Sequence, residues 1–194
     1  GAGLDIFKPR GNMVIDMGGG TSDIAILSLG DIVSSQSIRM AGDKMNSDIA
    51  SYIKNKHGLV IGEHTAEKIK MELGTALRVD DPETMDVRGR DVATGMPKQI
   101  TVNENEIEEA LHDTLEQIVS AAVNVLETIP PELASDIIDR GIMLTGGTSL
   151  LKGVDQLFSA RLKVPVVVSQ DPLDNVAKGA GEMLERMQKT ERKK

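Results

Sequence analysis

Met13-Val-Ile-Asp-Met-Gly-Gly-Gly-Thr-Ser-Asp-Ile-Ala-Ile-Leu-Ser-Leu29 is an apolar run that closes on an acid, a hydroxyl-tipped glycine turn, and a second apolar run. The β-branched and apolar residues on either side of the turn predict two strands, over about 12–17 and 23–29. Asp16 falls where the first run stops, and Gly18, Gly19 and Gly20 remove the side chains that would keep a phosphate from backbone N–H groups. Thr21 and Ser22 add hydroxyls. One acid beside a row of backbone donors suits a nucleotide phosphate with its Mg²⁺, because Mg²⁺ keeps several waters and needs only one or two carboxylates to hold them. Taken by itself, the same stretch is equally a tight hairpin turn.

The bulk properties narrow the class. With 194 residues the chain has room for one large domain or two small ones with a real core. Aromatic residues are only 2% against 40% hydrophobic, so the core is expected to be aliphatic and Met-rich. The net charge of −8 argues against a nucleic-acid or anionic-membrane surface, either of which normally needs a basic face. The one basic cluster, Lys189 to Lys194, reads as a solvated tail. The lack of cysteine excludes disulfides, thiol catalysis and Cys-based zinc sites, and is compatible with a reducing cytosol. No apolar run of about eighteen residues is present, and the opening residues do not read as a signal peptide. An opening of Gly-Ala-Gly-Leu without Met suggests a piece of something longer.

Along the chain, strands at about 12–17, 23–29 and 31–39 form an expected antiparallel meander. A helix over about 44–56, capped by Asp43, would place Met45, Ile49 and Ile53 on one face. A charged helix spans about 63–76, then two short strands, Met85 to Arg88 and Gln99 to Val102. Asn103 and Glu106 make a capping-box pattern for the longest helix, with Ile107, Leu111, Leu115, Ile118, Ala122 and Val125 at gaps of three and four. A short helix over 132–139 leads to a strand at 142–145, another helix, a buried strand at 164–169 and a last helix to about Met187.

A second glycine turn follows Ile142-Met-Leu-Thr145. If a helix starts directly at Gly146-Gly147, free N–H groups and the macrodipole favour an anion or a polar ring edge there by about 0.3–1 kcal/mol. Two strand-to-glycine turns far apart in one chain point to a ligand edge, since a wound sheet collects such turns along one side. No Walker A loop is present, and Asp23 stands where a dinucleotide fingerprint needs its third glycine.

Asp16-Met-Gly-Gly-Gly-Thr21 resembles the second phosphate motif of the actin, sugar-kinase and Hsp70 ATPase superfamily. Thr145-Gly-Gly-Thr-Ser-Leu150 resembles its adenosine motif, and Asn175-Val-Ala-Lys-Gly-Ala-Gly181 the helix that closes its second half. Within the superfamily the chain is most similar to the bacterial actin homologues of the MreB/Mbl family. Ser37-Ile-Arg-Met-Ala-Gly-Asp-Lys44, Thr65-Ala-Glu-Lys-Ile-Lys70, Arg88-Gly-Arg-Asp91 and Pro130-Pro-Glu-Leu-Ala-Ser-Asp-Ile137 carry that likeness. The resemblance implies an α/β fold, a ribonuclease-H-like actin-type ATPase domain at 1–41 and 140–194 with an inserted, mainly helical α+β subdomain at 42–139. It also implies that the chain is the second half of the family's protein. The first phosphate loop and catalytic Glu would lie upstream, so the chain alone is expected not to hydrolyse ATP.

Residue by residue, the resemblance implies that Asp16 holds the water shell of Mg²⁺ and that backbone N–H groups from Gly18, Gly19, Gly20 and Thr21 contact the β- and γ-phosphates of ATP. Thr21 would help orient the attacking water, and Gly42 would lie close to the ribose. Glu67 and Lys70 match the pair that contacts adenosine, and Lys68 and Ile69 between them would belong to the same nucleotide-binding turn; without the family context Glu67 and Lys70 read as a solvated salt bridge. Gly146, Gly147, Thr148, Ser149 and Leu150 would pack on the adenine. The sequence departs from the family where Asp23 replaces a common Glu and Thr148-Ser149 a common Gly-Ala pair.

The implied function is a cytoplasmic cytoskeletal ATPase whose filaments lie at the inner face of the membrane and guide wall synthesis and rod shape. Its partners would be further copies of itself, its own N-terminal domain, a membrane-anchored adaptor of the RodZ type and the wall-synthesis machinery, with membrane association through the other half and no nucleic acid. Two other classes stay open: the second lobe of an Hsp70-type chaperone, and a non-catalytic actin-fold scaffold. Peptide-stimulated turnover would mark the first and nucleotide-dependent pelleting the filament; the presence of Asp16, all three glycines, Glu67 and Lys70 speaks against the second. His57, His64 and His112 read as surface residues, and Asp80-Asp81-Pro82-Glu83 as an acidic loop without the six or so oxygens Ca²⁺ needs.

Overall fold

In a computed structural model describing residues 2–191, and side chains to 185, the glycine turn joins two antiparallel strands, β1 (Asn12–Met17) and β2 (Ser22–Ser28). Gly30, at φ 85°, takes a left-handed turn into β3 (Asp31–Ile38). The meander is therefore as expected. On β1 and β2, Met13, Ile15, Met17, Ile24 and Ile26 are buried on one face, the period-two pattern of a half-covered sheet.

From this sheet the chain leaves through α1 (Gly42–His57), β4 (Leu59–Val60), α2 (Glu63–Leu73), β5 (Thr84–Asp91) and β6 (Pro97–Asn103). It returns through α3 (Glu104–Glu127) and α4 (Pro131–Arg140) to β7 (Ile142–Thr145). A four-residue 3₁₀ turn (Gly147–Leu150), α5 (Val154–Leu162), β8 (Val166–Val168) and α6 (Asn175–Glu191) complete it. The larger sheet has the order β3-β2-β1-β7-β8 and the smaller β4-β5-β6. β7 runs parallel to β1, with Asp16 beside Thr145, so the two glycine turns leave the sheet at the same edge.

Helix α3 behaves as its spacing predicts: Ile107, Leu111, Leu115, Ile118, Ala122 and Val125 are buried, and it packs against β2, β3 and α5. Its capping box is complete, with the Glu106 N–H donating to Asn103 Oδ1 and the Asn103 N–H to Glu106 Oε2, each at 3.1 Å. On the sheet's other face, α6 with Leu4, Ile6 and Phe7 borders an apolar groove of about 370 Å³ over Val14, Ala25 and Leu27.

Four local expectations are corrected. Ala41, not Asp43, is the N-cap of α1, without a side-chain bond; the helix starts earlier because the Gly42 and Asp43 N–H groups are satisfied by the Gly18 and Gly19 carbonyls. No α-helix begins at Gly146-Gly147: a 3₁₀ turn stands there, and α5 starts only after Gly153, which sits in the left-handed region at φ 71°. β8 is an edge strand with Val167 exposed, not a strand buried on both faces. His57 is half-buried and bonded to Glu106 Oε1 at 2.8 Å, while His64 and His112 are exposed. The solvated tail expected at Lys189 to Lys194 lies outside the described side chains.

Candidate functional site

At the shared edge of β1 and β7 lies a cleft of about 500 Å³. One wall is the glycine turn and the start of α1, with Gly18, Gly19, Gly42 and Asp43. A second is α2, with Glu67, Lys70, Met71 and the Gly74 that follows it, and the third is Gly147 to Lys152, bar the buried Ser149, with Leu173.

These walls are bonded through two carbonyls, those of Gly18 and Gly42. The Gly18 oxygen accepts the Gly42 N–H at 3.1 Å and the Thr148 hydroxyl at 3.0 Å. Lys70 Nζ donates to the next carbonyl, that of Gly42, at 3.0 Å. Close approach explains Gly42, because a Cβ there would meet Lys70 Nζ at 3.1 Å and Thr148 Oγ1 at 3.3 Å. Burial pushes the Lys70 ammonium below its usual value, with Glu67 and Asp43 pulling the other way. Glu67 and Lys70 share the cleft face of α2 without an ion pair among the described residues, since Lys70 is drawn to the Gly42 carbonyl.

Within the glycine turn, the Gly18 N–H donates to the Thr21 carbonyl at 3.0 Å and is therefore not an outward donor. No hydrogen bond of the described structure engages the N–H groups of Gly19 and Gly20, which are exposed beside the Asp43 carboxylate. The Thr21 hydroxyl donates to Asp23 at 2.9 Å. The structure does not gather every expected residue into the cleft. Ile69 is fully buried in the core, Lys68 points outward near Glu72, and Ser149 is buried with its hydroxyl on the Gly146 carbonyl. Asp43, Met71, Leu151, Lys152 and Leu173 line it and were not foreseen. Asp43 follows Gly42 directly and was legible as a neighbour; the others depend on tertiary packing.

Asp16 lies on the other side of the turn, in the groove that also holds Asp23, Thr145 and Asn175. Burial raises its carboxyl pKa, and Asp23 raises it further. Among the described residues no hydrogen bond or cation engages it, an arrangement suited to a carboxylate whose counter-charge arrives with a ligand. A raised folded-state pKa means that the folded chain binds the proton more tightly than the unfolded one, so this group's contribution to stability falls as pH rises through the carboxylate range. Asp16→Asn is therefore expected to melt higher than the parent at neutral pH, with the gap closing as pH falls below that range. Melting curves across pH check this, and an equal or lower melting point at neutral pH would refute it.

The model of the family described as "MreB/Mbl protein" matches residues 1–192. The chain belongs to the MreB/Mbl family. It is 54% identical over 194 residues to the cell shape-determining protein Mbl of Bacillus subtilis (strain 168), covering all of this chain and 58% of that protein. It is 48% identical over 185 residues to the cell shape-determining protein MreB of Escherichia coli (strain K12), covering 95% and 53%. A crystal structure of MreB5 of Spiroplasma citri bound to ADP matches with a TM-score of 0.96 at 35% identity, over the whole of this chain and 59% of that one. The MreB/Mbl chain thus has the actin-type ATPase fold and spans somewhat over half the length of these relatives. No helix among its described residues is long and apolar enough to cross a membrane.

Proposed function

We propose that this MreB/Mbl chain supplies the nucleoside-side half of an ATP site in an actin-like protein that polymerises beneath the membrane and guides wall synthesis. The observation that carries the proposal is the joining of three walls around one cleft by the Gly18 and Gly42 carbonyls. The ADP-bound relative of the same fold supports it. In this reading the apolar side chains of Met71, Leu150 and Leu173 flank the adenine, Glu67 and Lys70 face the nucleoside, and Gly42 lets the ribose approach the backbone. The outward N–H groups of Gly19 and Gly20 meet the phosphates. Asp16, with no partner among the described residues, fits a Mg²⁺ water shell; Mg²⁺ would offset phosphate charge. The other half of the protein would close the site and bring the residue that activates water.

Residues 42–139 form the inserted subdomain of this proposal, and residues 1–41 with 140–194 the ribonuclease-H-like one. Partners are further copies in a filament, the protein's own N-terminal domain, a membrane-anchored adaptor of the RodZ type and the wall-synthesis machinery, on the cytoplasmic face of the membrane. Titration calorimetry of the full-length protein with Mg·ADP tests the site, and pelleting with and without nucleotide tests the filament. Lys70→Met is expected to weaken Mg·ADP binding about tenfold by removing a partly buried cation from the slot. No binding by the parent protein, or full-strength binding by Lys70→Met, would count against the reading.

A further inference from the structure

We infer that Lys152 is a positioning residue that sets the width of the slot between α2 and the Gly147–Leu150 turn, acting through Glu104 on α3. The inference rests on the nucleotide reading above. Lys152 follows the 3₁₀ turn, and its backbone is stitched to the end of α2. Its N–H donates to the Gly74 carbonyl at 3.3 Å, its own carbonyl accepts the Ala76 N–H at 2.8 Å, and Thr75 and Lys152 form an isolated parallel bridge. The two walls are in contact at this seam, because a Cβ on Gly74 would fall 2.1 Å from the Lys70 carbonyl oxygen and 2.5 Å from Leu151 Cδ2.

The side chain continues the seam in a third direction. Lys152 Nζ meets Glu104 Oε1 at 2.5 Å and Glu83 Oε2 at 3.1 Å. Glu104 is 4% exposed, and its other oxygen accepts the Glu83 N–H at 2.9 Å. Lys152 holds the Glu104 carboxyl below the usual range, and Glu104 in turn raises the Lys152 ammonium. A buried carboxylate whose cation is removed pushes the surrounding chain apart or takes up a proton. Here the displaced groups would be the first turn of α3 and the segment carrying Gly74, which is one lip of the slot. Glu104 itself does not line the cleft, so its influence on a bound nucleotide can only be indirect.

That separation gives the test, made on the full-length protein with Mg·ADP as the probe. Lys152→Met is expected to weaken binding about five- to tenfold, and Lys152→Arg to restore it to within about twofold. Glu104→Gln, remote from the ligand, is expected to weaken binding by a similar factor, and the double variant Lys152→Met with Glu104→Gln to be no weaker than either single change. If Glu104→Gln fails to fold, Glu83→Gln is the milder probe, with an expected loss of about twofold. Weakening by Lys152→Met with unaltered binding in Glu104→Gln or Glu83→Gln would mean that Lys152 touches the nucleotide directly, and overturns the inference. Unaltered binding in Lys152→Met overturns it too, while leaving the nucleotide reading intact. A parent protein that binds no nucleotide removes both.

Discussion

Gly146→Ala is expected to lose about 3 kcal/mol of stability or more. Gly146 sits at φ 84°, where an alanine is strained, and the added Cβ would lie 2.4 Å from the Met17 carbonyl oxygen and 2.5 Å from Asp16 Oδ1. The Asp16 carboxylate can turn aside, but the Met17 carbonyl cannot yield cheaply. Met17 belongs to β1, and its backbone is held by pairing to β2 on one side while β7 runs along the other. Relief would require β7 to slide away from β1, which would also pull Thr148 from the Gly18 carbonyl. Gly181→Ala is the contrast: it lies within α6 with open space around it, and there alanine is expected to add about 0.5–1 kcal/mol. Urea midpoints of the two variants and the parent decide the matter. A Gly146→Ala midpoint equal to the parent's would show that the two strands are not locked where the turns meet.

The second large effect falls on turnover. On the proposed nucleotide reading, Asp16→Asn in the full-length protein is expected to lower ATP hydrolysis at saturating nucleotide about 100-fold, since a neutral amide holds the water shell of a divalent cation far less well than a carboxylate. The same variant was expected above to melt higher at neutral pH. Gain in one property and loss in the other have a common origin: a half-buried carboxylate beside Asp23, with no cation among the described residues to meet it. Steady-state phosphate release checks the rate, and near-parental turnover would exclude Asp16 from the chemistry.

Local patterns with strong periodicity were legible in the sequence. The meander around Gly18–Gly20 and the helix opened by Asn103 and Glu106 follow from alternation, three-and-four spacing and capping chemistry, all of which act within a few residues. Where the structure departs from local pattern, distant partners are the cause. Helix α1 starts earlier than its own side chains indicate because its first N–H groups are satisfied from the β1–β2 turn, so no capping side chain is needed. The glycines at 146 and 147 suggested a helix start, but the chain straightens at Leu151 and Lys152 to pair with Gly74, and the helix waits for Gly153. In the site, Gly18, Gly42 and Lys70 were legible as motif residues. Their mutual bonding was not, because Glu67 is the obvious local partner for Lys70 and the Gly42 carbonyl wins only after folding. Lys152 carried no sequence signal, since its partners Glu83 and Glu104 are far away in the chain.

Helix α3 gives the molecule a lever arm. Its 24 residues span about 36 Å. The near end is held beside the cleft by Glu104, and just past the far end the Thr128 hydroxyl meets that of Ser34 on the outermost strand at 2.9 Å. A tilt of about 5° at the cleft would swing the far end by about 3 Å, roughly one residue's step along a strand. A change in slot width that alters nucleotide affinity would thereby be magnified at the free edge of the large sheet.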